Sequence, residues 1–319
     1  MQGKILVDSG VPYAELLFGG LGELVLADGD ISPNTKGIEE AEIMIIRSTT
    51  KVTPQFLDAA PKLKIIGSTA AGTDHIAEEA AERGIKILSA GGCNSVSVAD
   101  YVIQALLYAA VHNRIPLAGQ TAGIIGYGNI GQKVAERLKS FGAETLVYSQ
   151  PFVQSGDVNT ATLGELLSKS DIITIHASLT KTQGMQGKGR IVDQCHSHHM
   201  IGEREFGMMV RMPYIVNTSR GEIIDSKSLS MAYQQRRIME MVLDVYEDEP
   251  CPEAGIVQNA LIATPHIAGH AIEAKRRGAV MVARQLHEIL RVPFKQDADN
   301  LLYAGLDAPK QKEIYFTST

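Results

Sequence analysis

The sequence predicts an α/β protein built from two doubly wound parallel-sheet domains. Short apolar runs alternate with helical patterns from the first residues onward. The 319 residues exceed the ~100–200 typical of one domain. Two long helical patterns, at about 97–112 and 271–290, divide the alternation into an outer and an inner series.

In the outer series the strand candidates are 4–7, 43–46, 64–67 and 86–88, with helical segments at 12–17, 53–60 and 75–83. Thr53 is a suitable N-cap, and Pro54 follows it at the first helical position, where a missing N–H costs nothing. Gly84 supplies a C-terminal stop. Such alternation argues for parallel βαβ units. The helix at 97–112 carries an apolar stripe of Val98, Tyr101, Val102, Ala105, Leu106 and Ala109. Ser97 and Asp100 have the spacing of a capping box, with Asp in place of Glu. The inner series has strand candidates at 121–126, 145–148, 172–176, 214–217, 239–244 and 261–264, and a helical pattern at 201–208. The expected organisation is an inner domain, 99–289, inserted into a discontinuous outer domain, 1–98 plus 290–319.

Composition narrows the function. A net charge of −6 disfavours binding to nucleic acid or to an anionic membrane by bulk attraction, so neither partner is expected. No uninterrupted apolar run approaches the ~18 residues of a membrane span. The opening MQGKILVD enters a strand directly, without the basic and apolar regions of a signal peptide. Cys93, Cys195 and Cys251 are few, odd in number and far apart, which fits a cytoplasmic location rather than a disulfide framework.

The stretch 181–198 is polar, Gly-rich and longer than the ~2–6 residues usual in an α/β connection. It carries Asp193, Cys195, His196 and His198, with His199 next. These are metal-ligand types, but their spacing matches no known site pattern. The reading is an exposed His-rich loop, and no metal is expected.

Gly126-Tyr127-Gly128-Asn129-Ile130-Gly131 reads GxGxxG between a strand and a helix whose face carries Ile130, Val134, Leu138 and Phe141, closed by Gly142. That context makes the motif a dinucleotide-binding fingerprint. Gly126 permits the tight turn, Gly128 lets a pyrophosphate approach the backbone, and Gly131 lets helix and strand pack closely. The helix N-terminus then offers unpaired N–H groups to the phosphates. An acid about 20 residues on would bind the ribose hydroxyls of NAD. The strand at 145–148 ends instead at Ser149, followed by Gln150 and Pro151. Without a carboxylate a 2′-phosphate is not repelled, yet no Arg follows to hold one. The expected cofactor is therefore NAD or NADP.

Three later strand ends carry reactive groups: Asn217-Thr218-Ser219-Arg220-Gly221, Asp244-Val245-Tyr246-Glu247-Asp248-Glu249-Pro250, and Thr264-Pro265-His266-Ile267-Ala268-Gly269. Ligands of open α/β sheets sit at the carboxyl ends of strands. Together with Ala71-Gly72-Thr73-Asp74-His75 and the GxGxxG turn, these motifs resemble the D-isomer-specific 2-hydroxyacid dehydrogenase family over nearly the whole chain.

The resemblance implies a Rossmann nucleotide domain inserted into a flavodoxin-like substrate domain. It assigns Arg220, Glu249 and His266 as the catalytic residues. His176, Ala177, Asn217, Thr218, Ser219, Asp244 and Gly269 join the GxGxxG residues and Ser149 as cofactor positions. Ser48, Ala71, Gly72, Arg220, His266 and His270 become substrate positions. The substrate is a small 2-hydroxy or 2-oxo acid, and the assembly a homodimer with the 97–112 helix near its interface.

The chemistry asks for these residue types. His266 can take the hydroxyl proton near neutral pH and return it in the reverse direction. Glu249, hydrogen-bonded to the imidazole, fixes its tautomer and favours the protonated ring. Arg220 offers a planar fork of donors to the substrate's carboxylate and C2 oxygen.

Arg47-Ser48-Thr49-Thr50-Lys51-Val52, Gly92-Cys93-Asn94-Ser95, and Glu273, Lys275 and Arg277 further resemble the erythronate-4-phosphate dehydrogenase branch. That branch has Thr at Ala70, Tyr at His270 and Asp at Ser149, and carries an additional C-terminal dimerisation domain, whereas this sequence ends at Thr319. Glycerate or hydroxypyruvate, glyoxylate and 3-phosphoglycerate are the other substrate candidates. Some relatives of the fold are dinucleotide-sensing corepressors, which is the alternative from another class.

Overall fold

The computed structural model describes residues 3–113, 116–149, 158–180, 197–294 and 301. Gln150, Pro151, Asp193, Cys195 and His196, singled out above, lie outside them. The chain forms two units, 1–94 with 271–319, and 95–270.

The first unit holds strands β1 (Lys4–Asp8), β2 (Glu23–Ala27), β3 (Ala41–Ile46), β4 (Ile65–Ser68) and β5 (Lys86–Ser89). They pair in parallel in the order β2-β1-β3-β4-β5, the flavodoxin-like order. Short helices α1 (Ala14–Phe18), α2 (Pro54–Asp58) and α3 (Glu79–Glu82) connect them. Thr53 caps α2 as expected, its hydroxyl accepting from the Phe56 N–H at 3.2 Å. Strand β2 was absent from the sequence reading. Its residues Glu23, Leu24, Val25 and Leu26 are exposed or half-buried at the sheet edge, so their apolar pattern is diluted.

The second unit begins with helix α4 (Ser95–Asn113). The cap expected at Ser97 is inside this helix, and Asp100 instead accepts from Arg137 Nε at 2.8 Å. Val98, Val102, Ala105, Leu106 and Ala109 of the expected stripe are buried. Among the described helices α4 is the one long and apolar enough to cross a membrane, although no long run is free of polar residues; its most apolar window is 44% buried inside the unit.

The remaining helices of this unit are α5 (Asn129–Ser140), α6 (Leu163–Lys169), α7 (Glu203–Gly207), α8 (Ser226–Gln234) and α9 (Ala254–Asn259). Val134 and Leu138 of α5 are buried, whereas Phe141, expected on the same face, is the exposed C-cap. Strands β6 (Thr121–Ile125), β7 (Glu144–Tyr148), β8 (Ile172–Ile175), β9 (Tyr214–Asn217), β10 (Glu240–Leu243) and β11 (Ile262–Ala263) form one parallel sheet. Its order, β11-β10-β9-β8-β6-β7, reverses direction between β6 and β8, which makes the cleft above them the topological switch point. β8 and β9 are buried at every residue, as expected for strands covered on both faces.

The final helix, α10 (Ile272–Leu290), corrects the expected domain boundary. Residues 272–289 were assigned to the inner domain. Their apolar face instead joins the first core, where Ala279, Val280, Val282, Ala283 and Leu286 pack with Ile5, Val7, Ile45 and Ile65. A Cβ at Gly278 would lie 2.1 Å from the Thr69 carbonyl oxygen, so only glycine allows this approach. Periodicity locates an apolar face but does not say which sheet the face covers.

Candidate active site

The dinucleotide cradle follows from local backbone demands. Gly126 has φ +92°, a left-handed conformation glycine adopts without penalty. A Cβ there would lie 2.5 Å from the Ala177 backbone nitrogen. A Cβ at Gly131 would lie 2.0 Å from the Gly126 carbonyl oxygen, which explains the third glycine of the motif. Gly128 faces open space and is the N-cap of α5, with no side chain bonded to the helix amides. Asn129 and Ile130 open the helix. An uncapped twelve-residue helix behind an open glycine loop fits a pyrophosphate.

Ser149 follows β7, and its hydroxyl accepts from the Tyr127 N–H at 3.2 Å. The residue that replaces the usual acid is thus bonded to the glycine loop itself. His176 lies just past β8, with Nε2 2.9 Å from the Thr174 hydroxyl and Nδ1 3.5 Å from the Thr218 hydroxyl. Burial pushes its pKa down to about 3, so the ring is neutral at physiological pH. The Ser219 hydroxyl donates to the Ala177 carbonyl, joining the ends of β8 and β9.

Arg220, Glu249 and His266 follow β9, β10 and β11, three neighbouring strands. Asn217 shapes the first loop: its amide nitrogen donates to the Arg220 carbonyl at 3.0 Å and its oxygen accepts from the Ser219 N–H at 3.1 Å. Arg220 Nη1 donates to the Ser219 carbonyl at 2.7 Å. Glu249 Oε1 accepts from the Tyr246 N–H at 3.0 Å, and its Oε2 lies 2.9 Å from His266 Nδ1. The Glu249 contact is what the sequence asked of an imidazole orienter.

His266 has φ +57°, which is uncommon for a residue with a side chain. Asp244 holds that backbone in place. Its Oδ1 accepts from the Thr264 hydroxyl at 2.6 Å and the Ile267 N–H at 2.8 Å, and its Oδ2 from the Ala268 N–H at 2.9 Å. The Asp244 carbonyl accepts from the His266 N–H at 2.8 Å. Tyr101, on α4, places its hydroxyl 2.6 Å from that of Thr264. Asp244 was expected to line the nicotinamide; its carboxylate, 1% exposed as a residue, is occupied in positioning the His266 loop. Tyr101 and Thr264 went unnoticed as supports because they are 163 residues apart in the chain.

The electrostatics prepare His266 for proton transfer. Its hydrogen bond to Glu249 raises the imidazole pKa; burial and the Arg220 charge oppose the shift without cancelling it. Burial works against charge on Glu249, but the His266 bond and the Tyr246 N–H outweigh it and hold the carboxyl below its usual range. With Nδ1 facing a carboxylate, Nε2 is the ring nitrogen placed to exchange a proton with a bound molecule. Reduction needs the imidazolium, which is lost as pH rises through the raised pKa. Glu249→Gln removes the charge responsible, so the alkaline limb of the reductive pH–rate profile should move to lower pH. An unmoved limb in stopped-flow or steady-state assays would separate Glu249 from His266 function.

Residues expected to bind substrate lie in both units. In the first, Ser48 follows β3 and is exposed, while Ala71 and Gly72 follow the neighbouring β4. Their loop is shaped by Ser68, whose hydroxyl accepts from the Ala70 N–H at 3.3 Å and lies 3.0 Å from His75 Nε2. In the second, Gly269 and His270 close a turn in which the His270 N–H donates to the Ile267 carbonyl at 2.8 Å.

Comparison with known proteins gives the family. The family described as D-isomer specific 2-hydroxyacid dehydrogenase, NAD binding domain, matches residues 108–268. An erythronate-4-phosphate dehydrogenase of Shewanella sp. (strain MR-4) is 36% identical over 302 residues, covering 94% of this chain and 77% of the relative. The protein TT0316 from Thermus thermophilus superposes with a TM-score of 0.73 at 25% identity, over 90% of this chain and 97% of that one. A glyoxylate reductase from Paecilomyes thermophila shares the fold with a TM-score of 0.74 at 24% identity, over 91% and 95% of the two chains. With its glycine cradle and His–Glu pair in place, the chain belongs to the D-isomer specific 2-hydroxyacid dehydrogenase family, as an oxidoreductase acting on CH–OH donors with NAD or NADP.

Proposed function

We propose that this protein interconverts a small 2-hydroxy acid and its 2-oxo acid, with 4-phosphoerythronate as the substrate its relatives favour. The observation that carries the reading is the 2.9 Å His266–Glu249 contact on the sheet edge that also carries Arg220. The nicotinamide, when bound, supplies or accepts the hydride at C2. His266 Nε2 gives or takes the proton of the C2 oxygen. The Arg220 guanidinium offsets negative charge on that oxygen and on the substrate carboxylate. Gly128 leaves room for the pyrophosphate, Gly126 and Gly131 let the loop and helix fold tightly beneath it, and the amides of α5 meet it.

The identity of 36% across 94% of the chain supports a phosphorylated four-carbon substrate. Ala70 and His270 replace a Thr and a Tyr of that branch, and Ser149 replaces its Asp, so substrate and cofactor are tested together. The assay follows NADH and NADPH consumption with the 2-oxo form of 4-phosphoerythronate, hydroxypyruvate, glyoxylate and 3-phosphohydroxypyruvate. The expected result is a kcat/KM at least tenfold higher for the phosphorylated four-carbon acid. A higher value for another acid would reassign the substrate. Intact dinucleotide binding without turnover on any acid would replace the enzyme reading with a sensing role. A homodimer belongs to the same proposal, supported by Leu107, Tyr108 and Val111, which leave an apolar strip of α4 exposed.

A further inference from the structure

We propose that His198, His199 and Glu247 form a three-ligand site for a divalent transition-metal ion of the zinc class. One donor atom from each residue lies within 4.8 Å of the other two. The imidazole rings of the histidines are 4.0 Å apart, and His199 Nε2 is 2.6 Å from Glu247 Oε1. Four-coordinate zinc, with bonds of about 2.0–2.1 Å to nitrogen, needs its ligand atoms roughly 3.3 Å apart. Binding would draw the His198 nitrogen inward and open the short His199–Glu247 contact, with the ion taking the place of the shared proton.

The surroundings resemble the outer shell of a metal centre. A ligating histidine usually gives its second ring nitrogen to a carboxylate, which fixes the ring and raises its basicity. His199 Nδ1 is 3.7 Å from Asp225 Oδ2. The second oxygen of Glu247 accepts from the Ser226 N–H at 3.1 Å, so this ligand is also held from behind. The turn bearing the histidines is pinned on both sides. Ser197 bonds to the Ser178 carbonyl at 2.7 Å, and the His199 N–H to the Glu222 carbonyl at 2.8 Å. His199 itself takes a left-handed φ of +50°, which these bonds hold in place.

Two imidazoles and one carboxylate suit zinc and its neighbours, while magnesium and calcium prefer all-oxygen shells. His198 and His199 are exposed, so water completes the coordination. An ion here would join the 198–199 turn to the loop after β10, two residues before Glu249. The sequence reading expected no metal because the ligand types at 193–199 match no spacing rule, and Glu247, 48 residues after His199, was not considered with them.

The test is isothermal titration of the full-length, EDTA-treated protein with zinc chloride, and with magnesium chloride as comparison. One zinc equivalent should bind, with no saturable magnesium heat. His198→Ala leaves the His199–Glu247 bond intact, so it removes a ligand without loosening the loop; it should weaken zinc at least tenfold. Glu247→Gln should do the same. No saturable zinc binding, or unchanged affinity in either variant, would overturn the site. The readout is binding, so failure of the dehydrogenase reading would leave this result unaffected.

Discussion

His266→Asn should lower kcat by ~10²–10⁴-fold, the range for losing a general acid–base group. Asparagine is the informative replacement because residue 266 sits at φ +57°, a conformation asparagine adopts more readily than most residues. Its amide cannot exchange a proton near neutral pH. The melting temperature should stay close to that of the unsubstituted protein, and the pH–rate profile should lose the limb that reports the imidazole. Dinucleotide affinity, set by the glycine cradle, should be unchanged. Near-normal turnover would show that the proton travels by another route and that Glu249 orients a residue without catalytic weight.

Gly221→Ala should be the most damaging single methyl group in the second unit. A Cβ at this position would lie 1.8 Å from the Tyr246 carbonyl carbon and 2.2 Å from the Glu247 nitrogen. Both are backbone atoms, so no rotamer change relieves the contact. Overpacking of this kind costs about 1–3 kcal/mol or more. For a unit of this size that is a drop of roughly 2–12 °C in melting temperature. The displaced segment also carries the Tyr246 N–H that holds Glu249, so turnover should fall even where the variant is fully folded. Differential scanning calorimetry and an assay at 20 °C separate the effects. A wild-type melting temperature together with wild-type kcat would mean the two loops do not touch in solution.

The parts legible in sequence were those fixed by short-range patterns. The Thr53–Pro54 helix start, the three glycines of the cradle and the runs that became β8 and β9 are local statements about backbone and burial, and the structure agrees with them. Long-range matters were not legible. Nothing near 272–290 tells which core its alanines enter, and packing on the first sheet overrode the reading from chain order. Ser97 looked like a cap because its neighbours fit a motif, yet the helix had already begun at Ser95. The absence of an acid at Ser149 was visible, but not that its hydroxyl would be used by the Tyr127 amide. Arg220, Glu249 and His266 stood out from motif and resemblance. Their supports, Asp244, Thr264 and Tyr101, depend on contacts that no spacing encodes.

The order of strands in the second sheet has a metric consequence. Outward from the glycine cradle on β6 come β8, β9, β10 and β11, and their ends carry His176, Arg220, Glu249 and His266 in that sequence. Hydrogen-bonded strands stand ~4.8 Å apart. The sheet is therefore a ruler graduated in strands, with the end of β6 at zero and the end of β11, from which the His266 loop leaves, at the fourth mark, roughly 19 Å away on that spacing. Gaining or losing one strand between β6 and β11 would shift the root of the His266 loop by a full graduation, farther than any hydrogen bond can stretch.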